Sequence, residues 1–324
     1  MGKQFLSFLV RNAFSTVILA ASVSALATPE TAYFYDSASN SIRGCDLTPG
    51  AQARTMWSGV TGPISLTCDV TKKNLYYVSS SGPDKGWLVT LDISQLPVKK
   101  TRAQLPQDSR DLNVICFGPN DNLWLAYSSA DYDSFIHEFT ASCQPTGSEI
   151  QGRWTGGGFN CIAKGDPGEL LFSSYGYGNA RTFIGTTSPC SNYQTQVIAI
   201  GDGATSIGMA RFGTNILTID SSGVLNDYAP ASQVWTMPIH LKCCAEGQQK
   251  SLAKGNQNLC YVLSVSGLGG STVQCIDLTM LVMGNDPNNY TAISSQMIKI
   301  WTMSLPFPAS NMTLGPPMPT LPIG

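Results

Sequence analysis

Apolar and polar positions along the chain fall into short runs with a strand rhythm. The stretch AYFYDSASNSIRGCDLTPG, Ala32 to Gly50, alternates, turns on a Ser/Asn cluster, alternates again and stops at Pro-Gly. The same grammar recurs in NLYYVSSSGPDKGWLVTLDIS from Asn74, NLWLAYSSADYDSFIHEFTAS from Asn122 and ELLFSSYGYGNARTFIGTTS from Glu169. It recurs again in NILTIDSSGVLNDYAP from Asn215 and NLCYVLSVSGLGGSTVQCIDLT from Asn258. Each copy is a β-branched and aromatic strand, a Ser/Gly-rich turn and a return strand. Aligning Tyr33, Leu75, Leu123, Leu170, Ile216 and Leu259 gives spacings of 42, 48, 47, 46 and 43 residues. A steady period near 45 with strand composition predicts the four-stranded blade of a β-propeller.

Two further patterns complete the predicted blade. Trp57, Trp154, Trp235 and Trp301 each precede a Ser or Thr and follow a hairpin, where an outermost strand belongs. The runs SLTCDVTKKNL, NVICFGPNDNL, CIAKGDPGEL, GMARFGTNI and SLAKGNQNL lead into their hairpins as innermost strands. The first hairpin has no such run before it. NMTLGPPMP, Asn311 to Pro319, looks like NVICFGPND, Asn113 to Asp121. The expected fold is therefore all-β, a six-bladed propeller whose C-terminal segment supplies the inner strand of blade one. Closure of that kind removes free sheet edges.

Composition narrows the function classes. Charged residues make up 12% of the 324 residues and the net charge is −2, which argues against a nucleic-acid binder. Residues 1–27 read as a signal peptide: Lys3 and Arg11 are basic, Ala13 to Val23 is apolar, and Ala25 to Ala27 is a small-x-small cleavage site. Arg11 interrupts the apolar run, so a membrane span is not expected. Residues 28–324 then form a single secreted domain, expected to be a monomer. Ten cysteines follow the cleavage site, and an even count in an exported chain reads as a disulfide framework. Cys260 and Cys275 lie on opposite arms of one hairpin and are the expected pair. Asn289 and Asn311 head sequons that could carry glycans.

The residues Tyr33 to Leu47 resemble NHL-type and YWTD-type propeller repeats, with an aromatic strand, an Asp-Ser turn, an Asn-x-Ile-Arg return and a closing Asp-Leu. Six-bladed relatives in that broad group include gluconolactonase-type and strictosidine-synthase-type hydrolases. The resemblance implies, for the gluconolactonase type, a divalent cation held in the channel by Glu, Asn and Asp. The inner strands here carry Cys68, Asp69, Asn113, Cys116, Asn160, Cys161, Lys164, Arg211 and Lys254. One carboxylate among three bases is a poor cage for a hard cation. No metal site, cofactor or catalytic residue is therefore expected. His137 and His240 are far apart in sequence and read as structural.

The best candidate site is a cluster of aromatic and charged residues on loops of blades three and four. It comprises Arg110, Asp111, Asp131, Tyr132, Asp133, Tyr175, Tyr177 and Arg181. Tyr rings offer a flat apolar face with a polar tip, and carboxylates with Arg bind hydroxyl or carboxyl groups. The expected function is non-catalytic recognition of a carbohydrate or an extracellular protein. The alternatives are a channel-centred hydrolase of the lactonase or strictosidine-synthase kind, and a secreted host-interaction or virulence factor.

Overall fold

A computed structural model describes residues 30–62, 64–105, 111–118, 121–128, 134–151, 159–175, 181–187, 195–202, 206–220, 223–229, 234–235, 239–240, 248–256, 258–265, 269–278 and 299–320. Among them the chain is all-β, apart from one turn of 3-10 helix at Gly82–Asp84.

The strands form antiparallel sheets taken up in chain order. β1 (Thr31–Asp36), β2 (Ser41–Asp46) and β3 (Arg54–Ser58) belong to the first sheet. β4 (Ile64–Asp69), β5 (Asn74–Ser79), β6 (Trp87–Asp92) and β7 (Lys99–Gln104) form the second. β8 (Asp111–Phe117), β9 (Leu123–Ser128), β10 (Ser134–Phe139) and β11 (Pro145–Gln151) form the third. β12 (Phe159–Lys164), β13 (Leu170–Tyr175), β14 (Arg181–Thr187) and β15 (Thr195–Asp202) form the fourth. β16 (Ser206–Phe212), β17 (Asn215–Asp220), β18 (Val224–Ala229) and β19 (Val234–Trp235) form the fifth, with β20 (Ile239–His240) also on β18. β21 (Gln248–Lys254), β22 (Leu259–Val265), β23 (Ser271–Asp277) and β24 (Lys299–Leu305) form the sixth. The last strand, β25 (Ala309–Gly315), returns to the first sheet and pairs with β1, with Ala32 opposite Leu314 and Phe34 opposite Met312.

The second strand of each sheet explains why these segments read as unbroken apolar runs. Successive side chains on a strand point to opposite faces. Leu75 packs between the first and second sheets, whereas Tyr76 packs between the second and third. Leu123 and Trp124 divide in the same way, as do Leu170 and Leu171, and Ile216 and Leu217. Both faces of every sheet are covered, so both phases of the strand must be apolar.

The register corrects the sequence alignment by one residue at both ends. Leu123 lies opposite Phe117, Leu170 opposite Lys164 and Ile216 opposite Arg211. Their counterparts are Ala32, opposite Leu314, and Cys260, opposite Lys254. Tyr33 and Leu259 are each one position out of phase. The spacing survives because the shift is small against the repeat.

The inner strands of neighbouring sheets touch in the order β4, β8, β12, β16, β21, β25 and then β4 again. Each is a sheet edge, whose outward backbone groups need partners. Ile115 N–H donates to Ser65 Oγ at 2.9 Å, and Phe117 N–H to Thr67 Oγ1 at 2.8 Å. The N–H groups of Lys164 and Met209 bond the sulfurs of Cys116 and Cys161. Ser251 Oγ donates to Met312 O at 3.3 Å, and the Asn311 amide to Ile64 O at 3.4 Å. Between β16 and β21 the device is the absence of a side chain. A Cβ on Gly208 would lie 2.4 Å from Leu252 Cβ and 2.8 Å from Leu252 N.

Gly208→Ala is therefore expected to push β21 away and lower stability by about 1–3 kcal/mol, as overpacking does. Urea unfolding checks it, and an unchanged midpoint would refute the role given to Gly208.

Candidate functional site

The six inner strands enclose a cavity of about 420 Å3. Its wall is layered by register. At one end stand Phe117, Lys164, Lys254 and Leu314. Two residues back along each strand, Leu66, Ile115, Ile162, Met209, Leu252 and Met312 form an apolar band. Ser65, Cys161, Ser251 and Asn311 lie beyond it. The hydroxyls of Ser65, Thr67 and Ser251 and the Asn311 amide also make the bonds between strands described above.

The thiols of the cavity are protonated. Burial pushes Cys116 and Cys161 up to about 12, and raises Cys68 further. A thiol held that high is a poor nucleophile and a poor metal ligand at neutral pH. Among the described residues no group of three or more His, Cys, Asp or Glu is placed to hold a metal ion.

Arg211 belongs to the same register level as Lys164 and Lys254, but its charge is engaged. Its Nε and Nη2 bond Glu169 at 3.0 and 2.7 Å, and Asp166 lies 3.3 Å from Nε. Two other polar clusters stand away from the cavity wall. His137 on β10 bonds the Tyr127 hydroxyl at 2.7 Å and Glu149 at 2.8 Å. Buried Asp84, in the 3-10 turn after β5, accepts from Tyr77 Oη at 2.6 Å and Lys100 Nζ at 2.7 Å, and lies 3.3 Å from Arg102. Burial alone would raise the Asp84 pKa, but the bonds from Lys100 and Tyr77 and the charges of Lys100 and Arg102 hold it below the usual carboxylate range.

Of the loop residues singled out in the sequence, Asp111 starts β8, Tyr175 ends β13 and Arg181 starts β14. Arg110, Asp131, Tyr132, Asp133 and Tyr177 lie outside the described residues. So do the signal peptide, Trp154 and Asn289. Asn311 lines the cavity, with the amide that a glycan would modify turned toward Ile64.

In the hairpin turns after β1 and β5 the serines are engaged by the fold, with Ser37 Oγ donating to Pro308 O at 3.2 Å. Ser39 Oγ donates to Asp36 at 2.7 Å, and Ser79 Oγ donates to Thr61 O at 2.6 Å. Turn chemistry accounts for Ser39.

The expected Cys260–Cys275 bridge is not formed. Cys260 is opposite Ile276 and Cys275 is opposite Tyr261, one step out of phase. They therefore project from opposite faces of the sixth sheet, Cys260 toward the fifth and Cys275 toward the first. Cys45, Cys68, Cys116, Cys143 and Cys161 are likewise free. Burial pushes Cys45 and Cys143 up to about 11 and Cys275 to about 12. The even count misled because these cysteines act as small apolar fillers and weak acceptors between sheets. Cys68 and Cys116 are also out of phase: Cys68 lies opposite Leu75, whereas the residue opposite the equivalent Leu123 is Phe117.

Sequence reasoning named Lys164 and Lys254 but passed over Ser65, Gly208 and Ser251. The signal for these is a small residue three positions before the inner-strand residue opposite the hairpin's first register position, Cys68, Arg211 and Lys254 respectively.

No protein-family model matches the chain, and no curated protein matches it. Solved structures do. A protein of unknown function from Bacteroides caccae superposes with TM-score 0.61 at 10% identity, over 89% of this chain and 99% of that one. A luciferin-regenerating enzyme gives 0.51 at 13% identity, over 76% and 78% of the two chains. Apo AztD from Citrobacter koseri gives 0.51 at 10% identity, over 89% and 98%. The last two are propeller-type folds, and at such identities the likeness is one of fold alone. The chain is thus an all-β protein of propeller type.

Thiol titration in denaturant without reductant should find at least seven free thiols. In the native protein they should react slowly at pH 8. Fewer than seven would restore the disulfide framework.

Proposed function

We propose that the chain is a closed six-bladed propeller, built of NHL/YWTD-like repeats over residues 28–324 and exported by residues 1–27. In this reading it is a non-catalytic, monomeric recognition module for a carbohydrate or an extracellular protein. Ligand contact falls to the loop residues Arg110, Asp111, Asp131, Tyr132, Asp133, Tyr175, Tyr177 and Arg181. Closure is supported by β25 pairing with β1, and by a packed core between the first and sixth sheets that contains Phe34, Leu263, Met303 and Phe307. Tyr33 Oη donates to Pro316 O at 2.9 Å and Arg54 to Pro319 O at 3.0 Å, which tie the C-terminal segment to the first sheet.

One observation carries the choice of binding over hydrolysis. The described lining of the central cavity has two lysines and no carboxylate. A gluconolactonase-type cation would need several oxygen ligands with net negative charge in that place.

Glycan-array and pull-down binding should survive chelation and fall at least about tenfold in Asp131→Ala or Tyr175→Ala, the loss of one good contact. Stoichiometric, chelator-removable calcium with ester or lactone turnover would overturn the reading in favour of a hydrolase. Array silence with a captured protein would point to protein recognition, as in a host-interaction factor. For closure, a chain lacking residues 308–324 should aggregate or lose cooperative unfolding. Melting like the full chain would refute it.

A further inference from the structure

We propose that the cavity between the inner strands binds a small organic anion, with a carboxylate or phosphate head on a short apolar body. This goes beyond the recognition function assigned to the loops and is independent of it.

The volume of about 420 Å3 falls in the range of small-molecule sites. The charged side chains among its described lining are Lys164 and Lys254. Their shared level follows from the register, Lys164 opposite Leu170 and Lys254 opposite Cys260, at equivalent positions of β13 and β22. Arg211, on the strand between them, shows how the fold treats a base whose charge is to be compensated. It is clamped by Glu169 and Asp166.

Among the described residues neither lysine has such a partner. The Glu30 carboxylate lies beside Gly255, the residue that follows Lys254. Glu30 is already occupied by the Asn256 N–H at 2.8 Å and the Tyr261 hydroxyl at 2.7 Å, and makes no ion pair with Lys254. Two cations of one sign therefore sit at one end of a partly enclosed space, and no anion of the lining balances them. Both lysines are solvent-exposed at that end, and a cleft lined by one sign of charge concentrates counter-ions.

Beside the lysines lies the apolar band of Ile162, Met209 and Leu252, completed by residues of the other inner strands. It offers an uncharged body several contacts, while the lysines fix the head. A cation or a free sugar would use neither feature well.

The test is calorimetric titration of the full chain with hexanoate, hexyl phosphate and hexylamine at millimolar concentration. One or both anions should bind, hexylamine should not, and added salt should weaken binding. Hexanoate alone identifies a carboxylate site, hexyl phosphate alone a phosphate-ester site, and both together a site that reads charge. Lys164→Met and Lys254→Met should each weaken binding by about tenfold, the loss of one charge-assisted bond. Lys72→Met, outside the cavity, should leave it unchanged. Lys164→Gln and Lys254→Gln replace the Met variants if those fail to fold. Silence with both anions, equal binding of hexylamine, or indifference to the lysine substitutions would overturn the proposal.

Discussion

The whole arrangement depends on how the inner edges of the sheets are satisfied. Each sheet presents its first strand to the centre, with backbone groups that its own neighbour cannot reach. Six such edges meet in sequence, and among the described residues no further strand covers them. It answers with small side chains at set register positions. Ser65, Thr67, Cys116 and Cys161 accept from the next strand, Ser251 and Asn311 donate to it, and Gly208 lets Leu252 close up. A side chain at Gly208 would force β16 and β21 apart.

The same geometry accounts for the cysteines. A sheet covered on both faces needs apolar volume on both phases of its strands. Cys260 takes the place that Leu75, Leu123, Leu170 and Ile216 take elsewhere, and Cys275 fills the opposite face of the same sheet. Such a side chain is protonated because burial opposes the thiolate, and Cys260 and Cys275 do not pair because they project from opposite faces of their sheet. A pairing rule built on even counts misses this, since it counts residues without their strand phase.

The centre of the molecule and its loops make different chemical offers. The loops carry carboxylates, tyrosines and arginines in sequence, which suits polar ligands of several kinds. The cavity carries bases at one end, an apolar band beside them and committed hydroxyls at the other end. Two carboxylates near the inner strands are engaged in the fold, Glu169 on Arg211 and Asp69 on the turn N–H groups of Thr71 and Lys72.

Period, strand composition and the order of strands within a repeat were legible in the sequence, because hairpins and turns are local and their residues announce them. The likeness of Asn311–Pro319 to an inner strand was legible for the same reason, and β25 does lie against β1. Strand phase was less secure. A strand buried on both faces shows no alternation, so nothing local told Tyr33 from Ala32 or Leu259 from Cys260. Which of the three bases is held by carboxylates was not local at all. Lys164, Arg211 and Lys254 look alike along the chain. Only the meeting of β12, β16 and β21 sets Glu169 against Arg211 and leaves the other two facing a common space, since that contact joins residues 42 positions apart.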